Sequence, residues 1–121
     1  MKYLFHSSQL YQGKIKATID SNAKLVPTSH ALRASTDDRY GSFVLPVELP
    51  TRYEIVELEQ TNGVNTKYVL RFMYSDSLDI VIVIRPSGNN YAIVTAWLNE
   101  ATDYHNTLNE SRYNLPNLVK Y

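Results

Sequence analysis

Three histidines, His6, His30 and His105, are the side chains here that can change charge near neutral pH without a perturbed pKa. His30 stands in SHALRASTDDRYG, from Ser29 to Gly41, where two arginines and helix-forming small residues crowd around it. With Thr28 or Ser29 as N-cap, His30 falls in the first helical turn and Arg33, three residues on, shares its face. A helix start presents unpaired N–H groups and partial positive charge, so an imidazole and a guanidinium beside it suit one phosphate. The plainer reading is a pair of solvated first-turn residues, the more so because an imidazolium there opposes the helix dipole.

A second group lies in TAWLNEATDYHNTLNESRY, from Thr95 to Tyr113. Thr95, Trp97 and Asn99 alternate onto one strand face, and Asp103, His105, Thr107, Arg112 and Tyr113 follow in a polar tail. Asp103 is close enough in sequence to raise the His105 pKa and fix its tautomer. The plainer reading makes the tail merely hydrophilic and Trp97 core. His30, Asp103 and His105 are chemically eligible metal ligands, but no HxxxH or HExxH spacing joins them, and no metal is assigned. No Gly-x-Ser-x-Gly elbow, Ser-x-x-Lys or glycine-rich phosphate loop occurs, and paired carboxylates for glycoside chemistry do not stand out. His6 is read as structural or solvated.

The elements that must position these residues are clearest in the second half. RYEIVELE (Arg52–Glu59) reads as a strand, and Asn62-Gly63 behind it is a hairpin signal because both residues tolerate positive φ. KYVLRFMY (Lys67–Tyr74) alternates, with Tyr68, Leu70, Phe72 and Tyr74 on one face. LDIVIVIR (Leu78–Arg85) is apolar on both faces, which predicts a central strand, and Pro86–Asn90 predicts a tight turn that the proline opens. YAIVTAWLN (Tyr91–Asn99) completes a four-stranded antiparallel meander. Its Ala92, Val94, Ala96 and Leu98 face is small enough for a helix to approach. In the first half, Lys14–Asp20 predicts an extra N-terminal edge strand, and a short helix runs from Ala31 towards Arg39 before a cap-like Tyr40-Gly41. Ser42–Pro50 is a packed connector, and Glu100–Tyr121 wraps the sheet as loop. The fold expected is α+β, a short N-terminal helical region on the meander, in one domain spanning residues 1–121.

Composition bounds the function. The chain has no cysteine, so thiolate chemistry, disulfides and the usual structural zinc sites are excluded, and a reducing cytoplasm is compatible. The longest apolar run, Ile80–Ile84, is far too short for a bilayer, and no charged-then-apolar leader opens the chain, so no membrane association is expected. Twelve basic against 12 acidic residues argue against a generic polyanion binder, though a few arginines can still grip one or two phosphates. The 10 tyrosines suit half-buried strands and wet interfaces, and they can stack on bases.

SHALR…DRYG, followed by a meander ending in IVTAWLN and then DYHNTL…RY, resembles the metal-independent ribonuclease superfamily of barnase, colicin-type tRNases and RelE-like toxins. The likeness is greatest to small phage- and toxin-type members, and it covers roughly Pro27 to Tyr113 in element order. The superfamily commonly places its arginines about one and two helical turns after the histidine. Here Arg33 and Arg39 fall three and nine residues after His30. The resemblance implies an endoribonuclease that cleaves RNA by attack of the 2′-oxygen on the adjacent phosphorus, with no metal or other cofactor. His30 and His105 would then be the acid–base pair, in either order. Arg33, Arg39 or Arg71 would stabilise the pentacoordinate state, and Thr95 and Tyr113 would add hydrogen bonds. Trp97, Asn99 and Arg112 would hold the RNA. A toxin-type member would have a cognate inhibitor protein. A reading of a different class keeps the sheet and its tyrosines but makes the protein a non-catalytic module that occupies or inhibits a host protein.

Overall fold

A computed structural model describes residues 2–6 and 19–102. In chain order these form β1 (Lys2–His6), β2 (Leu25–Pro27), α1 (Ser29–Thr36), β3 (Glu54–Thr61), β4 (Val64–Met73), β5 (Leu78–Ser87) and β6 (Asn90–Glu100). All the strands join one sheet in the order β1-β3-β4-β5-β6-β2. The architecture is α+β, one short helix on a sheet, but the sheet is not the expected four-stranded antiparallel meander. β3 to β6 do run as consecutive antiparallel neighbours, while β1 adds antiparallel to β3 and β2 adds parallel to β6, making the sheet mixed. Local pattern could not announce β2, a three-residue strand ending in proline whose partner lies on the last strand. Of the segment expected as an edge strand, Ile19 and Asp20 are not in a strand, and residues 14–18 lie outside the described residues.

The hairpins follow turn chemistry. Asn62 at φ 53° and Gly63 at φ 80° make the two-residue β3–β4 connection, and Thr61 pairs with Val64 across it. At the β5–β6 turn the strand continues through Pro86 to Ser87, so the proline does not stop it. Pro86 pairs with Tyr91 at the strand's end, and Gly88 at φ 60° carries the reversal.

β5 lies inside the sheet, as its two-faced apolar pattern requires, and Ile80, Val81, Ile82 and Ile84 are all buried. The helix-side core collects Leu58, Tyr68, Leu70, Ile82, Ile84, Ile93, Ala96 and Leu98 with Ala31 of α1. On the opposite face Val56, Val69 and Val81 form a smaller cluster against which Val83 and Trp97 pack. A register shift between Ile55 and Glu57 inserts one residue into β3. Plain alternation would have put Glu57 and Glu59 beneath the helix; the extra residue turns them to the other face. There the Lys67 ammonium lies 3.6 Å from Glu57 and 3.5 Å from Glu59, Arg85 reaches Glu59 at 3.7 Å, and the Thr66 hydroxyl donates to Glu59 at 3.1 Å. Both carboxylates are buried.

Burial pushes the Tyr68 hydroxyl above the ordinary tyrosine pKa of 10.0, and its hydrogen bond with Asn65 pulls the other way. The fold therefore favours the neutral phenol. That contribution is complete below the unfolded value and is lost as pH rises through the folded one. Chemical denaturation between pH 9 and 12 is expected to show stability falling above about pH 10, with a shallower fall in Tyr68→Phe.

Helix α1 is shorter than the sequence suggests, ending at Thr36 rather than near Arg39. Ser35 and Thr36 both turn their hydroxyls back to the Leu32 carbonyl at 2.9 Å, a habit that weakens helix continuation. Asp38 then leaves the helix to bond elsewhere. The N-cap is Thr28, whose hydroxyl accepts from the Ala31 N–H at 3.2 Å and donates towards the Ile93 and Val94 carbonyls at 2.9 and 3.2 Å. One side chain thus caps the helix and ties it to β6. Thr28→Ala is expected to cost about 1–2 kcal/mol in urea unfolding, with most of it recovered in Thr28→Ser.

Candidate functional site

β6 outruns its neighbour. β2 pairs with it only from Tyr91 to Ile93, and beyond that point α1 lies along the strand. Ala31 and Ser35, four residues apart, are buried beneath the helix. His30, Arg33, Ala34 and Asp37 recur at the i, i+3, i+4, i+7 spacing that makes one helical stripe. That stripe, with Asp38 and Arg39 just past the helix, forms one wall of an open cleft of about 840 Å³. Ala96, Trp97, Leu98 and Asn99 of β6 form the other.

Asp38 sets how the walls meet. One carboxylate oxygen accepts from the Leu98 N–H on β6 and the other from the Tyr40 N–H, both at 3.0 Å. The turn closes with a Gly41 N–H to Asp38 carbonyl bond of 3.0 Å, and Gly41 adopts φ 108°. The Arg39 guanidinium lies 4.8 Å from the Tyr40 ring centroid, and the Tyr40 hydroxyl donates to Glu100 at 3.2 Å. Arg33 sits in the last turn of the helix, where its charge suits the dipole. His30, Arg33 and Arg39 are exposed. Among the described residues no hydrogen bond or ion pair engages the side chains of His30, Arg33 or Asp37. The cleft therefore offers an available imidazole and two guanidiniums, opposed by the charges of Asp37 and Asp38.

Of the residues expected to act, the structure brings His30, Arg33, Arg39, Trp97 and Asn99 to this cleft. Trp97 is partly buried against the valine cluster, so it serves the packing as well as the wall. Thr95 shares its strand face and is partly buried, but does not line the cleft. Arg71 must be corrected. It is only 4% exposed, with Nε donating to Asp79 and Nη2 to the Glu100 carbonyl, each at 2.7 Å. A guanidinium so committed has nothing to offer a phosphate; it holds the end of the sheet together. His105, Arg112 and Tyr113, like Asp103, lie outside the described residues. Among the described residues no group of three or more His, Asp or Glu side chains could hold a metal ion, and no helix is long and apolar enough to cross a membrane.

Sequence reasoning passed over Asp37 and Asp38. Asp37 carried a signal, since it stands seven residues after His30 and so extends the same stripe. Asp38 carried none, because its bonding partner is a backbone N–H sixty residues away. Compared with known proteins, the sequence matches no family model, and no curated protein or solved structure is significantly similar to it.

Proposed function

We propose that the α1–β6 cleft binds RNA and that the protein is an endoribonuclease of toxin or phage type. The scissile phosphate would lie against Arg33 and Arg39. His30 would take the 2′-hydroxyl proton or return one to the departing 5′-oxygen, and His105 would do the complementary transfer. The 2′-oxygen then bonds to phosphorus as the P–O5′ bond breaks, leaving a 2′,3′-cyclic phosphate and a 5′-hydroxyl. Charge that builds on the phosphoryl oxygens would meet the guanidiniums, whose effect is largest where water is partly excluded. Thr95 and Tyr113 would contribute hydrogen bonds, and Trp97, Asn99 and Arg112 contacts to the nucleotide. No step in this chemistry requires a metal.

The observation that carries the reading is the meeting of His30, Arg33 and Arg39 with Trp97 in one cleft. They supply one of the two proton-transfer groups the reaction needs, two anion-binding groups, and an aromatic residue for the nucleotide. The resemblance of SHALR and the terminal strand to metal-independent ribonucleases supports it.

A second reading, a non-catalytic module that occupies a host protein, draws on the charge. The chain is neutral overall, and Asp37 shares the cleft with the arginines, which weakens long-range attraction of a polyanion. The discriminating experiment is incubation of the protein with total RNA in excess chelator, followed by analysis of the ends. Cyclic-phosphate and 5′-hydroxyl termini support the nuclease. RNA that stays intact at high protein concentration removes it in favour of the binding module.

A further inference from the structure

The end of the sheet opposite the Asn62–Gly63 hairpin carries a surface that the cleft does not use. There the β4–β5 turn meets the end of β6, with the Ala101 N–H donating to the Ser77 carbonyl at 2.9 Å. Tyr40 joins them from the turn after α1, its hydroxyl donating to Glu100. Together they border an open cavity of about 480 Å³, lined by Tyr40, Leu78 and the two carboxylate residues Asp76 and Glu100. Asp76, Glu100 and Tyr40 are all exposed, so a visitor from solvent can reach them. Apolar side chains stand beside the opening. The Tyr74 N–H donates to the Leu78 carbonyl at 3.0 Å, and the Tyr74 ring meets Phe43 edge-on at 6.2 Å, which brings Val44 to the same end. Val44 is 88% exposed, Met73 76% and Tyr74 47%. Single exposed apolar residues are ordinary, but a valine, a methionine and a tyrosine gathered beside one acidic cavity have the make-up of an interface.

We infer that this end of the sheet docks a protein partner that inserts an arginine side chain, set among apolar residues, between Asp76 and Glu100. The inference goes beyond the RNA reading and does not depend on it. Two carboxylates repel phosphate, so neither a nucleic-acid backbone nor an anionic lipid surface suits the cavity. A cationic side chain suits it, and arginine best, because its planar fork matches carboxylate geometry and lies flat on a ring such as that of Tyr40. Arg39, which already contacts that ring, lines the α1–β6 cleft and not this cavity. An ion pair in open water is worth little. Docking changes that, because Val44, Met73 and Tyr74 close against the partner's apolar residues and keep water from the charges.

The test is selection of a phage-displayed random dodecapeptide library on the wild-type protein, followed by binding of the retained peptides as synthetic molecules. The retained sequences should share an arginine with apolar neighbours, and they should move the backbone resonances of Tyr40, Leu78 and Ala101 in the ¹⁵N-labelled protein. Replacing their arginine by citrulline, which keeps the shape and loses the charge, should weaken binding about tenfold or more. The double variant Asp76→Asn with Glu100→Gln should weaken it as much, and Met73→Ser about threefold or more. Both carboxylates are exposed, and glutamine can still accept from Tyr40, so the double variant should unfold in urea as the wild type does. A library that yields no binder, binders without a shared arginine, or binding that survives citrulline or either variant overturns the proposal. Movement of the same resonances by an oligoribonucleotide would overturn it by assigning the cavity to RNA. Dimerisation abolished by the double variant would overturn it in favour of a second copy of the chain. Cleavage of RNA, or its absence, bears on the nuclease reading alone.

Discussion

Replacing His30 by alanine is expected to lower RNA cleavage by roughly 10²–10⁴-fold while leaving the unfolding free energy within about 0.5 kcal/mol of wild type. The two halves of that expectation have different origins. His30 is exposed on the first turn of α1, and no described residue bonds its imidazole, so the fold does not depend on it. A group that transfers a proton in the transition state carries a rate factor of the size quoted, and of the other residues lining the cleft only Asp37 offers a carboxylate that no described residue bonds. The carboxylate of Asp38 is occupied by two backbone N–H groups, and Arg33 and Arg39 hold their protons throughout. His30→Ala and wild type should be compared for single-turnover cleavage of one oligonucleotide and for urea unfolding. Unchanged rates would take His30 out of the reaction, and the cleft with it. Lost stability alongside lost rate would mean that the side chain supports the helix instead.

The second large effect concerns stability. Arg71→Ala is expected to cost about 3–5 kcal/mol. The guanidinium joins three strands: it sits on β4, pairs with Asp79 on β5 and bonds the carbonyl of Glu100 at the end of β6. Truncation leaves the Asp79 carboxylate without this partner beside a buried face, and an uncompensated charge is costlier than the pair is favourable. The double variant Arg71→Met with Asp79→Leu should recover a substantial part, because it removes the charge that the single variant strands. Equilibrium urea denaturation of the wild type and both variants checks this. A loss below about 1 kcal/mol for Arg71→Ala would place the pair with ordinary surface ion pairs.

The sequence announced some of this structure through local rules. Asn62-Gly63 carries positive φ in both residues and leaves little choice but a hairpin, and a strand apolar on both faces, as in Ile80 to Ile84, has to lie inside a sheet. The helix start was visible in Thr28, Ser29 and the small residues that follow. The unseen parts depend on distant partners. β1 and β2 are short, and they become strands through neighbours supplied by β3 and β6. The extra residue at Val56 reverses which face Glu57 and Glu59 occupy, and no composition rule marks it. The ribonuclease resemblance offered Arg71 for the phosphate; Asp79 and the Glu100 carbonyl, met only in the folded sheet, engage it instead. At the cleft, the His30–Arg33 stripe and the Trp97–Asn99 strand could each be picked out alone. Their meeting is set by the Thr28 and Asp38 bonds to β6, which join residues 65 and 60 positions apart.

The parallel pairing of β2 with β6 has a consequence for how the protein comes into being. One wall of the cleft belongs to α1 and the other to residues 96–99, and all of β3, β4 and β5 are synthesised between them. A nascent chain that has delivered the helix but not the last strand has no groove at all. The groove therefore takes shape during synthesis only after that strand has been made and has docked against the helix.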